Sequence, residues 1–235
     1  MPTNDTQIRS PLRIFEKATG GGLGSGNLGV VLSRHGVGKT AFLVGMAVDA
    51  LLRGRKVMHI STEESVEHLR AFYFEIFQLI CESQRLDNRL ERRLDLERNR
   101  HILVYNRKTL SLDKLRQSAE FLHDAAHFSP DMVIMDGTPR FEHCETWEIE
   151  GVCELAREWS AEIWTSSRLY REGQTCDARG VPGEVAQFDA LISVIIQLEP
   201  QDDHVRVRLL KDHDRPEAPE LNMELDPGTL LLRWR

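Results

Sequence analysis

The sequence contains only four cysteines, and no two of them have the CxxC spacing of a zinc knuckle or a redox pair. They are Cys81, Cys144, Cys153 and Cys176. Cysteines of a cytoplasmic protein are normally reduced, so we expect free thiols and a cytoplasmic location. His143, Cys144 and Cys153 match no standard zinc spacing, and we expect them to pack without a metal.

The sequence also lacks long apolar runs and an excess of positive charge. No run approaches the ~18 residues of a membrane span, and the segment MPTNDTQIRSPLRIF lacks the apolar stretch of a secretory signal. The net charge is −7 and the isoelectric point is about 5.7, whereas proteins that coat nucleic acid carry a basic surface. We therefore expect no membrane association, and nucleic acid is an unfavourable partner.

Apolar runs and helical patterns alternate along the chain. Five runs predict buried strands, at 28–33, 56–61, 101–105, 132–135 and 162–165. Helical patterns lie between or beside them, at 41–48, 64–80, 82–100, 111–127 and 146–160. Such alternation predicts an α/β fold with a mainly parallel central sheet and helices on both faces. Closely spaced runs at 190–198, 204–210 and 229–234 predict antiparallel strands at the C-terminus.

Two further expectations concern domains and a charged helix. Residues 1–19 are predicted to be an N-terminal arm, and residues 20–235 a single domain. Within 82–100, Leu86, Leu90 and Leu94 recur every four residues on one helical face. This spacing predicts a solvated helix with a thin apolar stripe, and a helix that faces a partner is the alternative.

The segment from Ser33 to Thr40 fits a phosphate-binding loop between a strand and a helix. It matches the pattern GxxxxGK[ST], except that Ser33 replaces the first glycine. Glycines let backbone N–H groups turn towards phosphates, and the following helix N-terminus favours negative charge. We predict bound ATP and Mg²⁺, with Lys39 at the β- and γ-phosphates and Thr40 on the metal. The residues expected around the nucleotide are Arg34, His35, Gly36, Val37, Gly38, Lys39, Thr40 and Ala41.

Two other glycine patterns need separate interpretations. A glycine-rich turn that merely precedes a lysine is the alternative to the phosphate-binding loop. The segment 24–29 fits GxGxxG, but it precedes a strand instead of following one, so we interpret it as a loop and not as a dinucleotide site.

Acidic residues follow two of the predicted strands. Met132-Val133-Ile134-Met135 ends at Asp136, and an apolar strand that ends in aspartate beside a phosphate-binding loop can hold magnesium, here through water. Glu63 and Glu64 follow the second strand, where a carboxylate could orient the attacking water. We predict that Glu63 acts as this base, with Glu64 as the substitute. A helix cap formed by the same segment is the alternative, and both can hold together.

These motifs together resemble the RecA/KaiC-like ATPases, from about residue 20 to the C-terminus. The resemblance rests on Gly20-Gly21-Gly22-Leu23, on the phosphate-binding loop, on Thr62-Glu63-Glu64-Ser65, on Asp136 and on the segment 205–213. It implies a RecA-like fold in which Glu63 is the catalytic glutamate. It also implies that Lys211 reaches the nucleotide of a neighbouring subunit, in a homo-oligomeric ring or filament.

The sequence departs from the family pattern at three places. Ser33 replaces a glycine, His213 stands where an arginine is expected although Arg215 is close, and Ser166 or Ser167 stands where a glutamine often senses the γ-phosphate. These departures affect catalytic rate and nucleotide coupling more than nucleotide binding.

By the same resemblance, DNA-contacting loops would span about 137–148 and 168–187. Acidic residues are mixed with Arg168, Arg171 and Arg179, and only Tyr170 offers a stacking ring in the second loop. The prediction is therefore a slow Mg-dependent ATPase with a regulatory or signalling role, and a protein partner is possible. The alternatives are a DNA-dependent recombination or repair ATPase and a nucleotide sensor that does not hydrolyse ATP.

Overall fold

The computed structural model describes residues 12–169, 175–229 and 231–234. Within them the chain forms one nine-stranded sheet in the order β3-β2-β4-β5-β1-β6-β7-β8-β9. The first five strands are β1 (Leu28–Arg34), β2 (Val57–Ser61), β3 (Arg100–Val104), β4 (Met132–Asp136) and β5 (Glu162–Leu169). The last four are β6 (Val194–Pro200), β7 (Val205–Asp212), β8 (Met223–Leu225) and β9 (Leu232–Trp234).

The strands β1 to β6 pair in parallel, and β7, β8 and β9 extend the sheet by antiparallel pairing. The longer helices are α1 (Leu12–Ala18), α2 (Lys39–Leu52), α3 (Val66–Ser83), α4 (Arg89–Arg98), α5 (Leu112–Ala126) and α6 (Thr146–Glu158), and the short α7 spans Gly183–Ala186. The prediction of an α/β fold with a mainly parallel sheet and a C-terminal antiparallel extension is confirmed.

Two hydrophobic cores lie on opposite faces of the sheet. Residues of α1 to α4 pack on one face, and residues of α5 to α7 pack on the other. Alternation along the strands sends neighbouring side chains to different cores, as for Val31 and Leu32 of β1. The face covered by α2 is the one on which the candidate site is built.

The N-terminal segment differs from the expected arm. Residues 12–18 form helix α1, and its Leu12 and Phe15 are buried. The Phe15 ring meets the edge of the buried Trp164 ring with 5.9 Å between centroids. Burial of such side chains contributes about 1.5–3 kcal/mol each, so this segment is part of the core. Residues 1–11 lie outside the described part of the chain.

The predicted helix over 82–100 is wrong in its boundaries and its apolar stripe. Helix α3 continues to Ser83, and α4 begins only at Arg89. Leu86 is buried in the connection between them, whereas Leu90 and Leu94 are 73% and 50% exposed. The side chain of α4 that reaches the core is Leu96. The connection breaks the four-residue period, because it turns the chain before α4 starts.

Two strand predictions also need correction. β5 runs four residues beyond the predicted end at 165, and this extension carries polar residues to the edge of the sheet. β8 was not predicted, because three residues are too few to show a period of two. Among the described residues, no helix combines the length and apolar character needed to cross a lipid bilayer.

A buried histidine on β2 gives the fold a dependence on pH. The imidazole of His59 is fully buried, with its Nδ1 2.9 Å from the hydroxyl of Tyr73. Burial, together with the nearby charge of Arg100, lowers the pKa of His59 from 6.5 to about 3. The folded protein therefore keeps this ring neutral at pH values where the unfolded chain would protonate it.

We expect stability to fall as the pH is lowered from about 6.5 towards 3, because only the unfolded chain binds this proton. The limiting slope is about 1.4 kcal/mol per pH unit for one proton. Urea unfolding of His59→Gln should show a shallower slope than the wild type. The control His123→Gln, at an exposed position on α5, should keep the wild-type slope. Equal slopes for His59→Gln and the wild type would contradict the expectation.

Candidate functional site

The candidate site lies at the carboxyl ends of the parallel strands, where the loops after β1, β2 and β4 meet the end of β5. The strand order places β5 between β1 and β4 and places β2 beyond β4. A cavity of about 350 Å³ and a neighbouring one of about 200 Å³ open at this edge. The predicted residues that line the cavities are His35, Gly36, Gly38, Lys39, Thr40, Ala41, Glu63, Glu64 and Asp136.

The loop between β1 and α2 has the backbone of an anion-binding turn. Gly36 and Gly38 have φ angles of 78° and 108°, in the left-handed region that favours glycine. A Cβ built on Gly36 would have no neighbour within 4 Å, so the loop is open on that side. Helix α2 begins at Lys39, directly after Gly38. Backbone N–H groups without a helical partner therefore point from the first turn of α2 into the loop.

Ser33, the departure from the glycine pattern, lies inside the strand rather than in the turn. It is fully buried in β1, and its hydroxyl donates to the carbonyl oxygen of Arg34 at 2.8 Å. Its hydrogen-bonding potential is thus met locally. The structure shows no strain that would make the serine incompatible with the loop.

Lys39 is a partly buried cation that lines both cavities. Its ammonium group forms no ion pair or hydrogen bond with the described residues. Burial and the positive charge of Arg168 lower the pKa of Lys39, and the charges of Asp136 and Glu63 oppose that shift. A partly buried ammonium group that has no ion-pair partner among the described residues is suited to bind an anion.

A hydrogen-bonded group of three side chains lines the same cavities as Lys39. The Thr40 hydroxyl donates to Oδ2 of Asp136 at 2.9 Å, and the Ser166 hydroxyl donates to Oδ1 at 3.1 Å. Asp136 is only 2% exposed, and its carboxylate accepts from these two donors at the wall of the larger cavity. A hydroxyl and a carboxylate at this separation can share Mg²⁺ directly or through water, provided that other oxygens complete the octahedron.

The described residues contain no group of three or more His, Cys, Asp or Glu side chains that could hold a metal ion by themselves. Thr40 and Asp136 would therefore need oxygens from a ligand and from water to bind Mg²⁺. This donor set fits magnesium, which usually retains several waters and takes only one or two carboxylates from the protein.

The two glutamates after β2 point to different partners. The Glu63 carboxylate accepts a hydrogen bond from Arg107 at 2.9 Å, and Glu63 lines both cavities. Glu64 instead pairs with His68 at 2.5 Å, along the first turn of α3. Ser65 caps α3 by accepting from the His68 N–H at 3.1 Å. The predicted cap is thus present, and it is formed by a serine, so neither carboxylate is needed for it.

Gly137 fixes the position of the Glu63 side chain. Its φ angle is 78°, and a Cβ at this position would lie 2.5 Å from Cγ of Glu63. Any larger residue after Asp136 would therefore displace Glu63. The Thr62 hydroxyl also donates to the Gly137 carbonyl oxygen at 3.0 Å, which ties the loops after β2 and β4 together.

Lys211 lies apart from the other predicted site residues. On β7 it pairs with Ile195 of β6, which is in register with Val30 of β1. Val30, which shares this row of the sheet, lies three residues before Ser33 on β1, or roughly 10 Å along the strand. The Lys211 ammonium group forms an ion pair with Asp189 at 3.0 Å, and the Lys211 side chain is 13% exposed. Within this chain Lys211 links β7 to the segment before β6.

The residues after Lys211 are also engaged within the chain. Nδ1 of His213 lies 2.9 Å from the carboxylate of Asp212, which is fully buried. Arg215 pairs with the same carboxylate at 2.8 Å and donates to the Ala18 carbonyl oxygen at 3.0 Å. These contacts attach the end of β7 to the last residue of α1.

Each of the two loops that the resemblance associates with DNA contains an arginine held in an ion pair. Arg140 pairs with Glu142, and Arg179 pairs with Asp177 and Asp189. Trp147 is 63% exposed. Residues 170–174, which include Tyr170 and Arg171, lie outside the described residues.

Sequence reasoning missed the roles of Arg107 and Arg168 at this edge. Arg107 follows β3 and gave no signal of its own. Arg168 was assigned only to a loop, because β5 was expected to end at 165. A polar run Ser166-Ser167-Arg168 directly after an apolar strand is the signal that could have placed it at the carboxyl edge.

The fold and site define an α/β protein with a glycine-rich loop at the carboxyl edge of a mainly parallel sheet. No protein-family model matches the chain. No curated protein matches it by sequence either. Any assignment of function therefore depends on the residues and their geometry.

Proposed function

We propose that the protein binds Mg-ATP as a RecA/KaiC-like P-loop protein and hydrolyses it slowly. One observation carries the proposal. The Thr40 hydroxyl lies 2.9 Å from the Asp136 carboxylate, and both line a cavity with the glycine-rich loop, whose Lys39 has no partner among the described residues. A hydroxyl, a carboxylate and a cation arranged around open backbone amides suit a metal-bound triphosphate.

Phosphate binding is supported by the backbone and the charge of the loop. The positive φ angles at Gly36 and Gly38 keep the turn open, and the first turn of α2 adds its dipole. Lys39 would contact the β- and γ-phosphates, while Thr40 and Asp136 would hold Mg²⁺. The metal would neutralise part of the phosphate charge and fix the geometry of the triphosphate.

Hydrolysis is supported by the position of Glu63 at the cavity. A water oxygen would form a bond to the γ-phosphorus while the bond to the bridging oxygen breaks, and ADP would leave with that electron pair. The proton of the water would pass to the Glu63 carboxylate and then to solvent. The ion pair of Glu63 with Arg107 is about half exposed, and such a pair contributes under about 1 kcal/mol. Glu63 can therefore leave Arg107 at little cost.

A nucleotide sensor without hydrolysis is the second candidate, and the same ion pair favours it. If Glu63 stays on Arg107 when ATP is bound, no base faces the γ-phosphate and turnover stops. Phosphate release from the wild-type protein separates the two candidates. The resemblance further suggests a regulatory homo-oligomer in which Lys211 acts across subunits, but that role would require Lys211 to leave Asp189.

Replacement of Asp136 by asparagine tests the metal site. We expect Asp136→Asn to weaken the Mg²⁺-dependent part of ATP affinity by about 10- to 100-fold, as for other groups that orient a metal ligand. Affinity measured in EDTA should change little, because the loop and Lys39 remain. Isothermal titration calorimetry measures the ATP affinity with Mg²⁺ and in EDTA. The control is Asp124→Asn, which changes an exposed aspartate of α5. An unchanged Mg²⁺ effect in Asp136→Asn would contradict the proposal.

A further inference from the structure

Four cations line the 200 Å³ cavity beside the phosphate-binding loop, and two of them form ion pairs with other described residues. They are Lys39, Arg107, Arg140 and Arg168. Arg107 pairs with Glu63 at 2.9 Å, and Arg140 donates to Glu142 at 2.9 Å. The other two cations form no ion pair or hydrogen bond with any described residue. The cavity therefore contains two cations, Lys39 and Arg168, that form no ion pair within the described part of the chain.

The strand register places Arg168 beside the loop. Arg168 of β5 is in register with Ser33 of β1, the residue at which the loop sequence begins. Side chains two residues apart on a strand share a face, so Arg168 lies on the face of Ser166. Ser166 donates to Asp136, which in turn accepts from Thr40. Arg168 thus lies on the same face of β5 as Ser166, and it lines the 350 Å³ cavity together with Thr40 and Asp136.

The two unpaired cations influence each other. The charge of Arg168 contributes, after burial, to the lowered pKa of Lys39. Two like charges at one cavity repel each other, and a ligand with more than one negative charge removes this repulsion. The terminal phosphate of ATP carries such a charge, and the planar guanidinium of Arg168 can donate two hydrogen bonds to it.

We propose that Arg168 supplies, within the same chain, the second cation for the terminal phosphate, so that turnover needs no neighbouring subunit. This inference rests on the proposed ATP-binding function. It gives Arg168 the role that the resemblance assigns to Lys211 of a neighbour. Lys211 already forms an ion pair with Asp189 of its own chain, and it would have to leave this carboxylate to reach a neighbour's nucleotide.

The test compares ATP and ADP affinities in Arg168→Ala, Arg168→Lys and the wild type by calorimetry with Mg²⁺. We expect Arg168→Ala to bind ATP about 10- to 100-fold more weakly, while ADP affinity changes by less than about threefold. Arg168→Lys should recover part of the lost ATP affinity, because lysine restores the positive charge but not the planar pair of hydrogen-bond donors. The control Arg206→Ala removes the same charge from β7, and it should keep the wild-type affinities.

Phosphate release per chain, measured over a wide range of protein concentration, supplies the second readout. We expect it to be constant for the wild type and strongly reduced in Arg168→Ala. If Arg168→Ala bound ATP as tightly as the wild type does, and ADP likewise, the proposed role of Arg168 would be wrong, but the ATP-binding function would stand. Release per chain that rises with protein concentration would overturn independence from a neighbour. A wild-type protein that binds neither nucleotide would instead refute the ATP-binding function, and this inference with it.

Discussion

Replacement of Lys39 by alanine is expected to abolish most of the affinity for ATP. Lys39 is the cation at the start of α2, and it has no partner among the described residues. Each charge-assisted hydrogen bond to a phosphate contributes about 1.5–3 kcal/mol, so the loss of two corresponds to at least about 100-fold in Kd. This is the largest effect on binding that we expect from any single substitution.

The same substitution should not destabilise the protein without ligand. The pKa of Lys39 is lowered chiefly by burial, which means that the folded chain disfavours the ammonium charge. We therefore expect Lys39→Ala to have an unchanged or higher Tm without nucleotide and to lose the Tm increase that ATP causes in the wild type.

Thermal unfolding with and without Mg-ATP measures both quantities for Lys39→Ala. The control is Lys17→Ala, which removes an exposed lysine of α1 and should keep the increase with ATP. If Lys39→Ala retained the full increase, the hypothesis that this loop holds phosphates would be wrong.

Replacement of Glu63 by glutamine is expected to reduce phosphate release by about 100- to 10,000-fold, the range typical of a general base. Glutamine keeps the size of the side chain and its place beside Gly137, but it cannot accept the proton of the attacking water. ATP affinity should change by less than about threefold, because Glu63 is not assigned to phosphate or metal binding. Single-turnover measurements with excess protein separate the chemical step from binding.

The variant Glu64→Gln tests whether Glu63 or Glu64 acts as the general base. The Glu64 side chain pairs with His68 on α3, so we expect only a small change in phosphate release. A large loss in Glu64→Gln with normal activity in Glu63→Gln would transfer the role of the base to Glu64. Equal release from Glu63→Gln and the wild type, together with normal Glu64→Gln, would leave the sensor as the better description.

Much of the site could be predicted because its signals are local. The turn at Gly36 and Gly38 needs left-handed backbone, and the lysine and threonine that follow occupy the first turn of the next helix. The position of Asp136 could be predicted as well, because the carboxyl ends of parallel strands share one edge. The distance of 2.9 Å to Thr40 is a result of packing across three strands, which the sequence alone does not contain.

Helix α4 and the segment after β7 show why other predictions differ from the structure. The spacing of Leu86, Leu90 and Leu94 predicts one apolar stripe only if the helix is unbroken. Helix α4 begins at Arg89, so Leu86 lies in the turn before it. The role expected for Lys211 comes from the resemblance of the segment 205–213, whereas its ion-pair partner Asp189 lies 22 residues away in the chain. Both cases depend on contacts between distant segments.

The sequence by itself determined the glycine-rich turn before α2, the alternation of strands and helices and the acidic residues after β2 and β4, because each depends on neighbours a few residues apart. Only the tertiary structure decided that β5 lies between β1 and β4, and therefore that Ser166 touches Asp136 and Arg168 stands beside Lys39. It likewise assigned Glu63 to Arg107 and Lys211 to Asp189. Strand order and ion pairing depend on how distant segments pack, and that packing has no local pattern in the sequence.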